Sequence, residues 1–264
     1  MKANILDING KKTKTIDLPK CFSKKVREDI VMRIIETKKS TQPYGPSPVA
    51  GKQHSAKGKV VHRRHVWRSG YGRGASRVPL KIFSQKGSQF NWEAAEVPNA
   101  RGGMRAHPPK PASMVNTKVI NKKELKLGLI SAISATAMEK KVLNRYATLN
   151  EKIDGLPLIT ESKLTTLKTK DLISSVKKIL GKELFKVAEI KKSIRPGKGK
   201  LRGRKYKKNA GLLLVIGKNE KIKTNSFDVQ SVNNLGVTDL AKGGSGRLTL
   251  YTEEAIKDLG EKFK

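Results

Sequence analysis

One cysteine, Cys21, occurs in 264 residues. No disulfide can form within the chain, which fits a reducing compartment. Acids are scarce: 22 Asp and Glu stand against 57 Lys and Arg, a net charge of +35. A balance this basic calls for a polyanionic or acidic partner, and it leaves little room for a merely soluble basic protein. No apolar run approaches membrane-spanning length; GLLLVI at 211–216 is far too short. The first ten residues, MKANILDING, lack the apolar centre of a signal peptide. The chain therefore reads as soluble and intracellular, with no membrane partner. Catalytic signatures are missing too. Glu93 and Glu96 form an i, i+3 pair without a framing site, and no nucleophile-elbow motif occurs.

What is present is unevenly spread. Residues 43–112 hold 13 Lys and Arg, only two acids, eight of the 11 prolines, both tryptophans and all four histidines. No apolar period of two or 3.6 runs through them, so neither strand nor helix is expected there. A loop this long inside a compact domain is functional or disordered. Ordering each residue costs ~1–2 kcal/mol, and this stretch has little apolar surface to offset that cost. A polyanion is the partner expected to order it. A second segment, 191–208 (KKSIRPGKGKLRGRKYKK), has ten Lys and Arg and no acid. Gly and aromatic residues interleave with Arg in the first segment, which favours nucleic acid over membrane or acidic protein.

Outside these segments the pattern is that of an ordinary, mildly basic domain. Ala3–Ile8 and Thr13–Leu18 read as strands around the turn signal Asn9-Gly10. Ser23 is the expected N-cap of a helix carrying Val26, Ile30 and Ile34 on one face, ending before Pro43. Asn121 and Glu124 resemble a capping box that opens a helix reaching about Ala147, with Leu125, Leu129, Ile133 and Ala137 on one face. Its small residues Gly128, Ala132 and Ala135 allow close packing, and the two helices that flank the loop must lie near each other. Strands are expected at 156–160, 211–216, 228–231 and 247–251. Thr169 caps a helix broken at Gly181, a short helix follows at 183–191, and Thr252 starts a last helix. The run Gly211–Ile216 is apolar throughout, as in a strand covered on both faces. Strands alternating with helices indicate an α/β fold with a mainly parallel sheet.

Several motifs point away from cofactors. Gly70, Gly72 and Gly74 lack the strand before, the helix after and the spacing of a dinucleotide loop. Gly197-Lys198-Gly199-Lys200 is not a phosphate-binding P-loop; it reads as a turn that presents Lys198, Lys200, Arg202, Arg204 and Lys205. His62 and His65 have no neighbouring Cys or acid to complete a metal shell. Trp67, Tyr71, Phe83, Phe90 and Trp92 lie where no core is evident; stacking on bases and packing on protein weigh equally.

Three motifs, HVWRSGYGRGASRVP, ARGGMRAHPPKP and RPGKGKLRGRKYKK, resemble the archaeal-type branch of large-subunit ribosomal protein four, the L-four family. The match runs in order over nearly the whole chain, without the long C-terminal extension of eukaryotic members. The resemblance implies a three-layer α/β/α globular domain (1–42 and 113–264) with a long non-globular loop (43–112) inserted in it. It also implies that the loop penetrates ribosomal RNA and reaches the nascent-peptide tunnel. Arg68, Arg73, Arg77, Arg101 and Arg105 match RNA-contacting positions of that loop. Arg63, Arg64, Lys81 and Lys110 join them as expected phosphate contacts. Lys198, Lys200, Arg202, Arg204 and Lys205 match the second basic loop. Gly87–Ala100 contains no Lys or Arg, so phosphates are not expected to hold this tip; the resemblance implies that the tip, with Phe90, Trp92 and Glu93, lies at or beside the tunnel.

The expected function is that of a structural constituent of the large ribosomal subunit, cytoplasmic and not an enzyme. Its expected partners are large-subunit ribosomal RNA, neighbouring ribosomal proteins and the nascent peptide, with no cofactor, metal or small-molecule substrate. The alternatives are an RNA-modifying enzyme with a Rossmann-like core and basic arms, and a DNA-packaging protein. The first needs a Gly-rich turn after the first parallel strand, and the second needs basic stripes on helices.

Overall fold

A computed structural model describes residues 1–41, 64–65, 78–104, 106–107, 110, 112, 115–146, 148–149, 153 and 155–263. The chain divides into two compact units, Met1–Lys39 with Ile120–Lys264, and Ser40–Val119.

The first unit is built on a six-stranded sheet. Strands β1 (Lys2–Leu6) and β2 (Lys12–Asp17) form the expected antiparallel hairpin, with Gly10 at φ +81 in its turn. Helix α1 (Glu28–Ser40) starts later than Ser23 predicts. A 3-10 turn at Lys20–Phe22 intervenes, and the Ser23 hydroxyl donates to the Lys20 carbonyl (3.1 Å) instead of capping a helix. Helix α2 (Lys122–Ala137) opens where Asn121 and Glu124 predict, and Glu124 Oε2 accepts from the Asn121 N–H (3.4 Å). It stops at Met138, whose backbone is extended, and α3 (Glu139–Arg145) follows as a separate short helix.

The flanking helices α1 and α2 do pack together. A Cβ on Gly128 would lie 2.2 Å from Ile34 Cδ1, so the missing side chain is what lets Ile34 sit against α2. Ser131 Oγ accepts the Arg27 N–H (2.6 Å), and buried Ser134 donates to the Lys24 carbonyl (2.5 Å). Two long-range bonds thus fix the entry to α1.

Strand β5 (Leu158–Thr160) is followed by α4 (Thr169–Ala188), whose N-cap is Lys168 rather than Thr169. Gly181 interrupts α4 at φ +72, the break its position in the sequence predicts. In the six-stranded sheet, β8 (Leu213–Ile216), β9 (Asp228–Ser231) and β10 (Thr249–Thr252) complete the order β2-β1-β5-β10-β8-β9. All pairings except β1–β2 are parallel. Short α5 (Val237–Leu240) precedes β10, and Thr252 caps α6 (Glu253–Lys262) by accepting the Ala255 N–H (3.2 Å).

Neighbouring residues of the central strands enter different apolar clusters. Leu213, Val215 and Tyr251 pack with Val31, Ile34, Ile133 and Leu259. Leu214 and Leu250 pack with Leu172, Val176 and Leu180 of α4. The sheet is therefore buried on both faces, which explains why β8 is apolar at every position. Tyr251 is fully buried, edge-on to Phe22 (5.4 Å between centroids), with its hydroxyl 2.9 Å from Thr136 Oγ1. Burial pushes its phenol up to about 12.

The second unit overturns the expectation that no strand forms in 43–112. Strands β3 (Leu80–Lys86) and β4 (Gln89–Ala94) make an antiparallel hairpin around Gly87, which has φ +58. Phe90, Trp92 and Ala94 alternate as a strand should. On β3 a bulge between Ile82 and Ser84 shifts the register and hides the period. Beyond β4 the chain winds tightly: Ala95 donates to Pro79 O, Gly103 to Ala100 O and Met104 to Glu96 O.

Candidate nucleic-acid interface

The second basic segment forms a hairpin of its own. Strands β6 (Lys192–Ile194) and β7 (Tyr206–Lys208) pair antiparallel, and a 3-10 turn spans Gly197–Lys200. These strands have no apolar alternation, so backbone bonds and glycines hold them. Arg195 N donates to Lys205 O (2.8 Å), and Arg204 N to Gly199 O (3.2 Å). Gly197 and Gly203 adopt φ of +71 and +75, a conformation other residues enter only at a cost. Arg195 is used internally: its side chain lies over Gly199, and its Nε donates to Arg204 O (3.1 Å). Lys192 Nζ sits 3.9 Å from the Tyr206 ring centroid, a cation–π contact across the strands.

The hairpin base is fastened to the sheet. Asn209 bridges its two legs, accepting from Lys191 N (2.8 Å) and donating to Glu189 O (2.8 Å). Leu212 N donates to Ala188 O (2.9 Å). Arg247 then locks the following turn. Its side chain is 1 % exposed and donates to Gly211 O (3.1 Å), Asp239 O (2.7 Å), Ala210 O and Asp228 Oδ2 (2.6 Å). Burial pushes the Asp228 carboxyl up, but hydrogen bonds from Lys242 and Arg247 outweigh it and hold the group below the usual range. Nothing in the sequence distinguishes Arg247 from the surface arginines.

This mount carries Lys198, Lys200, Arg202, Arg204 and Lys205, all exposed. Lys191, Lys192, Lys207 and Lys208 add exposed charge at the base, beyond the five predicted positions. Among the described residues, none of the ten cations from 191 to 208 has a carboxylate within salt-bridge distance. Exposed cations gathered on one hairpin without counter-charges make a surface that repels itself and gains from a polyanion.

The first basic segment is described in part. Arg63, Arg68, Arg73, Arg77 and Arg105 lie outside the described residues. Arg64, Arg101 and Lys110 are exposed. Lys81 is engaged within its unit: its side chain is 17 % exposed, Nζ donates to Arg101 O (3.2 Å), and Glu93, its cross-strand partner, lies 3.8 Å away. Phe90 and Trp92 are 42 % and 44 % exposed with ring centroids 6.3 Å apart. Among the described residues no group of His, Cys, Asp and Glu is placed to hold a metal, and no helix is long and apolar enough to cross a membrane.

A model of the ribosomal protein L4/L1 family matches residues 16–262. The chain belongs to that family. It is similar over its length to the large ribosomal subunit protein uL4 of Nanoarchaeum equitans, with 37 % identity over 272 residues, 99 % of this chain and 98 % of the relative. Its similarity to uL4 of Methanosphaera stadtmanae is 36 % identity over 273 residues, 100 % of this chain and 98 % of the relative. With uL4 of Methanocaldococcus jannaschii it shares 38 % over 273 residues, the full length of both. Both basic segments fall within these alignments.

Proposed function

We propose that the chain is a structural constituent of the large ribosomal subunit that binds large-subunit ribosomal RNA through its two basic segments. Members of its family are structural components of the cytoplasmic large subunit, not enzymes. The observation that carries the RNA-binding reading is the β6–β7 hairpin, with its clustered exposed cations on a base fastened to the sheet. Its chemistry is phosphate neutralisation with counterion release, and interactions of this kind position a protein rather than read sequence. In this reading the burial of the sheet on both faces corresponds to a three-layer α/β/α domain, 1–42 with 113–264. Residues 43–112 form the inserted arm that extends toward the nascent-peptide tunnel. Arg63, Arg64, Arg68, Arg73, Arg77, Arg101, Arg105 and Lys110 line its path through RNA, and Lys81 braces it. Phe90, Trp92 and Glu93 belong to its tip, beside neighbouring ribosomal proteins or the nascent peptide.

The RNA-modifying alternative requires a Gly-rich turn between a first parallel strand and a helix. The turn after β1 instead leads into antiparallel β2, which supports the structural reading. Sedimentation of a cell lysate tests the proposal: the chain should run with the large subunit and persist there through a moderate salt wash. Recovery only at the top of the gradient would refute it. A photoreactive side chain in place of Trp92 should crosslink to tunnel-wall RNA, nascent peptide or a neighbouring protein. Crosslinks confined to this chain would remove the tunnel assignment.

A further inference from the structure

β8 and β9 are parallel neighbours. A parallel pair needs a crossover, usually a helix that covers the sheet. Here residues 217–227 make that crossover as irregular chain, and β9 beside it is half-buried where β8 is buried. A cleft of about 920 Å³ lies between the start of α4 and the crossover. A second, of about 300 Å³, shares Ile173, Asn225 and Ser226 with it and continues to the base of the basic hairpin. The floor is apolar and half-buried, with Ile173, Phe185, Ile222 and Val229. The rim carries four exposed lysines, Lys170, Lys192, Lys208 and Lys223, against one carboxylate, Glu189.

Among the described residues, the strand beside the cleft, β9, pairs only with β8. β9 ends the sheet on this side and β2 ends it on the other. β2 bears Lys12 and Lys14, the kind of charge that discourages addition of a further strand. β9 reads Asp-Val-Gln-Ser, with neither Lys nor Pro, and its one acid is already held by Lys242 and Arg247.

We infer that this cleft and the free edge of β9 dock an extended acidic segment of a neighbouring protein chain, whose carboxylates meet the four lysines while its apolar side chains fill the floor. RNA fits the rim but not the floor. RNA bases stack on aromatic rings or guanidinium planes, whereas Ile173, Ile222 and Val229 are aliphatic and the two rings, Phe185 and Phe227, are half-buried and buried. The inference rests on the ribosomal reading only for where such a neighbour is met; the docking itself is a property of the isolated chain.

Two labelled peptides of equal charge test it by fluorescence anisotropy with the full chain at high salt, where exposed charge pairs are screened. One alternates Glu with Ile, the other Glu with Ser. The Glu/Ile peptide should bind roughly tenfold tighter, a difference of about 1.4 kcal/mol. Ile222→Glu should abolish that advantage; because Ile222 is half-buried against the cluster around Leu172 and Val176, the variant's melting temperature is measured alongside. Should the charge unsettle the crossover, Ile222→Ser gives the same readout. At low salt, the double variant Lys170→Glu, Lys223→Glu should weaken both peptides. Equal binding of the two peptides overturns the inference, as does an advantage that both Ile222 variants leave intact. An RNA oligonucleotide that displaces the Glu/Ile peptide and itself loses affinity with Ile222→Glu assigns the cleft to RNA and also overturns it. Failure of the chain to sediment with large subunits would remove the ribosomal reading and leave the peptide result standing.

Discussion

The hairpins β3–β4 and β6–β7 both lie outside the six-stranded sheet, and each is stabilised by different means. An isolated two-stranded hairpin is marginal in water, so each needs support. β3–β4 has side chains to work with: Ile82 opposite Trp92, Lys81 opposite Glu93, and a wound loop that follows it. β6–β7 has almost none, and relies on glycine conformations, backbone bonds and the Arg247 anchor at its base. A segment whose side chains are reserved for a partner must take its rigidity from the backbone and from elsewhere in the fold. Where side chains supply the structure, as with Lys81, a basic residue is engaged within the protein.

The largest effect that separates the two hairpins should come from Arg247→Met. It removes the donor to three carbonyls, one buried and two part-buried, and leaves Asp228 with Lys242 alone. Each buried acceptor left unsatisfied costs about 1–3 kcal/mol. Thermal denaturation should show the loss, and amide exchange should rise first around 209–212 while β3–β4 keeps its protection.

The reciprocal change is Gly103→Ala. A Cβ there would lie 2.0 Å from Val97 O and 2.9 Å from Ala100 O, both backbone atoms that cannot swing aside. Forced overpacking of this kind costs about 1–3 kcal/mol. Exchange at Gly103 and Met104 should accelerate and β6–β7 should be unaffected. If both hairpins respond to either variant, their supports are not separate.

Tyr206→Ala is smaller. It deletes the ring under Lys192, an interaction worth about 0.5–1 kcal/mol at an exposed site. Faster exchange of the β6–β7 amides, with no change in overall melting, is the expected result.

The smallest effect lies in neither hairpin. The Arg27 guanidinium, hydrogen-bonded to Asp29, holds that carboxyl down to about 2. A depressed folded-state value gives stability that is present above the unfolded value of about 3.9 and is lost as pH falls toward 2. Both groups are exposed, so the change is slight. Asp29→Asn should flatten this part of an acid titration and leave the exchange of both hairpins unaltered.

Much of the sheet unit is legible in the sequence because local signals and tertiary packing agree there. Gly181 breaks α4, Thr252 caps α6, and the uninterrupted apolar run at 213–216 is buried on both sides. The misses have physical causes. Ser23 is a good capping residue that makes a turn bond instead, because the bonds from Ser131 and Ser134, more than 100 residues away in sequence, fix the helix start. The bulge after Ile82 hides β3, and β6 and β7 have no apolar period to find. At the candidate interface, clustered charge without acids singles out 198–205 from composition alone, and the structure shows these cations exposed. The hairpin that carries it, and Arg247 beneath it, depend on interactions between distant parts of the chain.

If the cations of the β6–β7 hairpin engage RNA phosphates, as proposed, the salt dependence of binding must report it. Affinity for a large-subunit ribosomal RNA fragment would be measured across a range of salt for the parent chain and for the variant with Lys198, Lys200, Arg202, Arg204 and Lys205 all changed to Ala. Each phosphate that the variant no longer neutralises lowers the slope of log affinity against log salt by up to ~0.9 on a duplex. The variant should show a clearly shallower slope with an unchanged melting temperature, because these five side chains are exposed and the hairpin is held by its backbone. An unchanged slope in a fully folded variant would contradict it.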